Sequence, residues 1–222
     1  MARAFSGSYD AILFDMDGTL VNSFQSIEEA WKVWCSGHGL DSQEVIGAMH
    51  GCRAGDTIRK FLPGLTEAAY EAECRHIDRI ESQAALPIPR IAGALELISA
   101  LPPNRWGITT SADRNMAVYR IRQAGLPVPD ILVAGEDVEI GKPHPAGYRL
   151  AAKRLGVPAE RCLVFEDTAV GLSAGHSAGA HVVAIGDERP TFDGPLRAWI
   201  RDYAQVRVVH DNGPISIVID AH

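Results

Sequence analysis

The 222-residue sequence predicts an α/β fold: a parallel sheet wrapped by helices, with a small α-helical unit inserted after the first strand. Three observations carry that expectation. Short unbroken apolar runs alternate with helix-sized segments, the pattern of strands covered on both faces. Three of the helical segments end on a glycine, the residue that most readily takes the left-handed turn closing a helix. Between Val21 and Leu86 lie only helical patterns, about 65 residues where a strand-to-helix connection takes a handful.

In chain order, residues 11–14 read as the first buried strand. Helices are expected over residues 26–34, 53–62 and 66–83. The last carries Glu67, Glu71, Glu73, Arg75, Asp78, Arg79 and Glu81, and reads as a solvated face. Together they predict a cap domain at residues 21–86, joined by connectors at 20–23 and 86–89 to a core of residues 1–20 and 87–222. Residues 89–101 place Ile91, Ala94, Leu95 and Ile98 at helical spacing before Pro102 and Pro103 stop the run. Strands at 106–109, 131–134, 162–165 and 181–185 then alternate with helices at 113–124, 145–155 and 168–178, which Gly125, Gly156 and Gly179 close. Beyond Gly186 the pattern weakens: residues 196–203 read as a helix, and 205–209 and 215–219 as edge strands.

Composition excludes several classes. Lys and Arg number 21 against 28 Asp and Glu, a net charge of −7 that disfavours an electrostatic nucleic-acid binder. The apolar runs are strand-sized, so no membrane span is expected, and the opening Met1–Gly7 lacks the apolar stretch of a signal peptide. Cys35, Cys52, Cys74 and Cys162 lie far apart with no CxxC, indicating neither a disulfide framework nor a zinc site. The expectation is a cytoplasmic protein, monomeric by default, with neither nucleic acid nor membrane as its partner.

Four strand ends carry the chemistry. Asp15-Met16-Asp17-Gly18-Thr19-Leu20 follows the first strand directly, where ligands bind in an open parallel sheet. Residues two apart in extended chain can point the same way, so both carboxylates can face one site, and the Thr19 hydroxyl can bond an anionic oxygen. An Asp-Gly turn leaving a strand is the plainer alternative. Thr109-Thr110-Ser111 ends the next strand before a helix, which is a phosphate cradle or simply an N-cap. Gly141-Lys142-Pro143-His144-Pro145 fixes the backbone around a lysine, which is either aimed inward or solvated. Glu166-Asp167 ends an apolar run, where paired acids bind a cation, cap a helix, or both. Gly171, Gly175 and Gly179 then form a small-residue stripe for close packing on the sheet. These strand ends carry two Asp, a Thr, a Lys and an acidic pair, and the carboxylates alone would repel a phosphate dianion unless neutralised. A lysine and a hard divalent cation serve that purpose, and oxygen ligands suit magnesium, Mg2+.

The order Asp-x-Asp-Gly-Thr, Thr-Ser, Gly-Lys-Pro, Glu-Asp resembles the haloacid dehalogenase superfamily of aspartate-nucleophile phosphohydrolases. The resemblance runs from Tyr9 to about Ile185 and implies a Rossmann-like core with the family's smaller helical cap. It implies that Asp15 is the nucleophile and that Asp17 is the general acid and then base. Thr110 and Lys142 would hold the phosphoryl group. Asp15, the Asp17 carbonyl, Glu166 and Asp167 would place magnesium, with Asp167 the surest of the acidic pair. The dehalogenases of the superfamily lack the second aspartate, so Asp17 implies phosphate-ester chemistry.

The cap stretch from His50 to Ile58 is similar to that of the glycerol-3-phosphate and 2-deoxyglucose-6-phosphate phosphatases. That likeness implies substrate contacts from Gly51, Arg53 and Asp56, with Thr19 and Ser111 on the core side. An intrahelical Arg53–Asp56 surface pair is the alternative. A β-phosphoglucomutase-type phosphomutase and a non-catalytic phosphometabolite sensor are the competing functions. The mutase cap motif has its arginine at a different spacing, and a sensor would be expected to have lost a motif residue.

Overall fold

A computed structural model of the chain describes residues 5–84, 86–209 and 213–220. Its elements, in order, are β1 (Phe5–Tyr9), β2 (Ala11–Phe14), α1 (Phe24–His38), α2 (Ser42–Met49), α3 (Ala54–Phe61), α4 (Glu67–Ala84) and α5 (Ala94–Ser99). Then follow β3 (Trp106–Thr109), α6 (Arg114–Gln123), β4 (Leu132–Val133), α7 (Ala146–Leu155), β5 (Cys162–Glu166), α8 (Ala169–Ser177), β6 (His181–Ile185), β7 (Leu196–Ile200), β8 (Val206–Val209) and β9 (Ile215–Ile219).

Six strands form one sheet in the order β4-β3-β2-β5-β6-β7, all pairs parallel. The α/β expectation therefore holds. β2 is flanked by β3 on one side and β5 on the other, so the chain winds outward from β2 in both directions. This reversal opens a crevice at the carboxyl ends of these strands. The central strands are buried along their whole length, and one apolar cluster lies on each face of the sheet. On one face Phe14 stacks on Phe165, and Trp106 and Tyr203 meet its edges.

The helices between β2 and α5 build a separate cluster around Trp31, Trp34, Val45, Met49, Ile58 and Ile77. Two connectors join this helical unit to the sheet and run side by side. Asn22 N–H donates to the Pro89 carbonyl at 2.7 Å, and Ile91 N–H to the Leu20 carbonyl at 2.9 Å.

The structure departs from expectation in several places. Residues 196–203 are not a helix: 196–200 pair in parallel with β6, and a 3-10 turn covers 203–205. Leu196, Ala198 and Ile200 face inward at period two, and the free edge of β6 decides between that period and a helical one. β9 is not an edge strand either, since it lies between β1 and β8 in a three-stranded antiparallel sheet. β1 and α2 were unforeseen. α5 begins at Ala94 rather than at residue 89, because the backbone before it is held in the connector pairing. Of the opening residues, 5–7 lie in β1, and the four before them fall outside the described residues.

Candidate active site

The carboxyl end of β2 hands the chain into a tight loop. Asp15 N–H still bonds the Phe165 carbonyl across the sheet at 3.0 Å, so its side chain is fixed at the strand end. Gly18 then takes a φ of 79°, and a β-carbon there would run into the Asp167 carboxylate and the Phe24 ring. Only glycine lets the loop pass so close.

Asp15 is buried, and its carboxylate contacts the Lys142 ammonium, which also donates to Glu166. Glu166 is wholly buried and fully bonded. Lys142 and Tyr148 donate to one oxygen, and the Thr168 N–H and hydroxyl, each at 3.0 Å, to the other. The expected pairing of a cation role with a helix cap divides here: Thr168 is the N-cap of α8, and Glu166 locks Thr168 and Lys142 together. Asp167 is freer. Thr19 Oγ1 donates to it at 3.3 Å, and it lines the cavity.

Asp15, Glu166 and Asp167 each bring a carboxylate oxygen within 4.8 Å of the others, a group able to hold a metal ion. The electrostatics fit such an ion. Burial, with help from Glu166 and Asp17, raises Asp15 from 3.8 to about 7 despite Lys142. Burial together with Glu166 and Asp15 also pushes Asp167 well above its ordinary value. Burial disfavours the Lys142 charge, but Asp15 and Glu166 outweigh it and hold the ammonium protonated. Two buried carboxylates thus share one ammonium beside the half-buried Asp167, and the surplus negative charge, on oxygen donors alone, suits a hard divalent cation.

Thr110 sits at the end of β3, buried, its hydroxyl accepting from Ala112 N–H at 3.1 Å. Ser111 donates across to the Gly51 carbonyl of the helical unit at 2.9 Å. Arg53 is the N-cap of α3, and Asp56 takes its guanidinium on two oxygens at 2.7 and 2.9 Å. Arg53 also reaches the Val138 and Glu139 carbonyls. The pair left open by the sequence therefore forms, and both residues still line the cavity. His144 is exposed and accepts from Ala146 N–H.

The cavity, about 480 Å³, lies between the strand ends and the helical unit. Asp15, Asp17, Thr110, Ser111 and Asp167 line it from below, and Gly51, Arg53, Asp56, Trp31 and Tyr70 from the helices. Sequence reasoning missed four residues around it: Ser23, Arg120, Glu81 and Tyr148. Ser23 Oγ donates to Asp17 at 2.5 Å, and Arg120 joins Asp17 to Glu81. The reading of α4 as a solvated face fails at Glu81, which is 4% exposed, and at Asp78 on the cavity wall. A signal was available. Tyr70, Cys74, Ile77 and Glu81 fall at helical spacing, as do Met116, Ala117, Arg120 and Ile121, so each charge sits on an apolar stripe.

Comparison with known proteins agrees with this geometry. The model of the haloacid dehalogenase-like hydrolases matches residues 9–179. The chain belongs to that family. It is 40% identical to hexitol phosphatase A of Escherichia coli over 78% of its length and 81% of that protein's. It is 31% identical to 2-deoxyglucose-6-phosphate phosphatase 2 of Saccharomyces cerevisiae, with 92% of each covered. Among solved structures, CbbY from Rhodobacter sphaeroides, crystallised with phosphate, superposes with a TM-score of 0.76 over 89% of this chain and 96% of its own. At 24% identity that likeness is one of fold. This haloacid dehalogenase-like chain is thus an enzyme, and those two curated relatives are phosphatases by name. No helix among the described residues is long and apolar enough to cross a membrane.

Proposed function

We propose that this enzyme is a magnesium-dependent hydrolase of small polyol or sugar phosphate monoesters, working through an aspartyl-phosphate on Asp15. The observation that carries the reading is the Asp15 carboxylate, buried at the topological switch of the sheet against Lys142 and open to a cavity sized for a small phosphorylated metabolite. The names of the relatives support the substrate class. In this reading the four helices are a cap, residues 21–86, over a core of residues 1–20 and 87–222.

Asp15 attacks phosphorus in line, and the Asp15–phosphorus bond forms as the ester bond breaks. Asp17 gives a proton to the departing alcohol and then takes one from the water that hydrolyses the phosphoenzyme. Thr110 and Lys142 hold the phosphoryl oxygens, with Ser111 beside them, while Thr19, buried away from the cavity, steadies the Asp167 carboxylate instead. Asp15, the Asp17 carbonyl and Asp167 would hold the magnesium, with Glu166 behind them. When bound, the metal supplies charge neutralisation for the dianion. Gly51, Arg53 and Asp56 meet the polyol from above.

The mutase and sensor alternatives are less well supported. Arg53 is already paired with Asp56, leaving it poorly placed for a second phosphate, and every strand-end residue is present. Phosphate release from glycerol 3-phosphate, 2-deoxyglucose 6-phosphate, mannitol 1-phosphate, phosphoglycolate and β-glucose 1-phosphate, with and without magnesium, tests the reading. Metal-dependent release peaking on a polyol or hexose phosphate is expected. Conversion of β-glucose 1-phosphate to glucose 6-phosphate without phosphate release would replace it with the mutase.

A further inference from the structure

Both Asp17 oxygens are held, and by different parts of the chain. Ser23 Oγ donates to Oδ1 at 2.5 Å from the connector, and Arg120 Nη1 donates to Oδ2 at 2.8 Å from α6. The rest of the Arg120 guanidinium faces α4, where Nε meets Glu81 Oε1 at 2.7 Å and Nη2 meets Oε2 at 2.6 Å. Arg120 and Glu81 are 7% and 4% exposed. Desolvating such a pair is costly, and a well-packed apolar pair of similar volume would hold two helices together as well. An apolar pair could not present a third N–H to Asp17.

We propose that Arg120 is a positioning residue for the Asp17 carboxyl, and that Glu81 makes this positioning conditional on α4 lying against the core. The inference rests on reading Asp17 as the donor to the leaving group. The guanidinium is planar and rigid, so once Glu81 fixes its Nε–Nη2 edge, the direction of Nη1 follows. Asp17 inherits its orientation from a residue of the helical unit 39 positions away from Arg120 in sequence. Without Glu81 the fork is free to turn both its N–H groups onto Asp17 and draw the carboxyl off the cavity. In the step concerned, the Asp15–phosphorus bond forms and the ester bond breaks. The Asp17 O–H proton passes to the departing alkoxide oxygen, which leaves as the alcohol.

The test uses two substrates of wild-type and variant enzyme: the alkyl phosphate of the panel that wild type turns over fastest, and p-nitrophenyl phosphate. An alkoxide needs the proton, whereas nitrophenolate leaves without it. kcat/KM closes at departure of the leaving group, so later hydrolysis does not enter. Glu81→Gln keeps the shape and removes the charge. Arg120→Leu is made both alone and with Glu81→Gln, so that no buried carboxylate is left unpaired. Each is expected to lower kcat/KM on the alkyl phosphate by about 100-fold and on p-nitrophenyl phosphate by less than about threefold, with Arg120→Lys recovering part of the loss.

Equal losses on both substrates, or no loss, would overturn the proposal and leave the pair a structural brace. A selective loss in the Arg120→Leu variants but not in Glu81→Gln would keep the positioning and overturn its dependence on α4. If wild type releases phosphate from neither substrate, the phosphatase reading has failed instead.

Discussion

At Asp15, exchanging one oxygen for nitrogen separates chemistry from packing. Asp15→Asn keeps the shape and leaves Lys142 its Glu166 partner, so the fold should persist while turnover falls by on the order of 10³-fold or more. Phosphate release beside a thermal melt checks this, and a variant keeping most of its rate would sink the nucleophile assignment. Asp78 offers a pH test. Burial, then the carboxylates of Asp113 and Glu81, raises it from 3.8 to about 7 against the pull of Arg120. A carboxyl whose folded pKa lies above its unfolded one stabilises the fold fully below the unfolded value. That contribution is lost as pH rises through the folded value. The Asp78 contribution is therefore present near pH 4 and gone above pH 7. Asp78→Asn should gain stability relative to wild type as pH rises across that window, and a pH-independent difference in melting temperature would count against it.

At the scale of elements, α8 shows why small residues matter beside the site. A β-carbon at Gly171 would collide with the Glu166 carboxylate, and one at Gly175 would press on Val182 and Val164 at 3.0 and 3.2 Å. The stripe expected from sequence is thus a close-packing stripe at Gly171 and Gly175 but not at Gly179, which lies past the helix with a φ of 100° against Glu160. At Gly171 it is also what seats Glu166 behind Lys142. Gly171→Ala should cost about 1–3 kcal/mol by overpacking and should lower activity more than Gly175→Ala does. Denaturant melts and phosphate release on both variants check the ranking. Strands were legible where an unbroken apolar run carried the signal, as in residues 106–109 and 181–185, even though β2 and β5, with which they pair, lie 94 and 18 residues back in the chain. They were not legible in β1, whose Ser6, Gly7 and Ser8 carry no apolar signal and which exists because β9 pairs with it.

Across the whole molecule, the helical unit has its own apolar cluster and meets the sheet through the connectors and a few polar bridges. Ser111 to Gly51, Arg53 to the Val138 and Glu139 carbonyls, and Arg120 to Glu81 span the cavity. Such an arrangement suits closure over a bound substrate. Locking the connectors should then lower kcat and shift KM together. Asn22→Cys with Pro89→Cys, compared oxidised and reduced, provides the lock, because the two backbones are already hydrogen-bonded there. Unchanged kinetics on oxidation would argue against a closing motion.

The sequence by itself determined the α/β class, the helical interval, and the strand ends that carry Asp15, Asp17, Thr110, Glu166 and Asp167; Lys142, expected at a fourth strand end, lies instead in the loop between β4 and α7, nine residues past Val133. Those signals are local: an apolar run sets a strand, and a polar residue at its carboxyl end belongs to the crevice of a parallel sheet. The tertiary structure alone decided that residues 196–200 extend the sheet, that Glu166 is spent on Lys142, Tyr148 and Thr168, and that Arg120 ties Asp17 to Glu81. Arg120, Asp17 and Glu81 meet from distant parts of the chain, and even the Thr168 bond to Glu166, two residues away, needs the strand-to-helix turn to bring the groups together. A buried charge declares its role only when the group that neutralises it is in place.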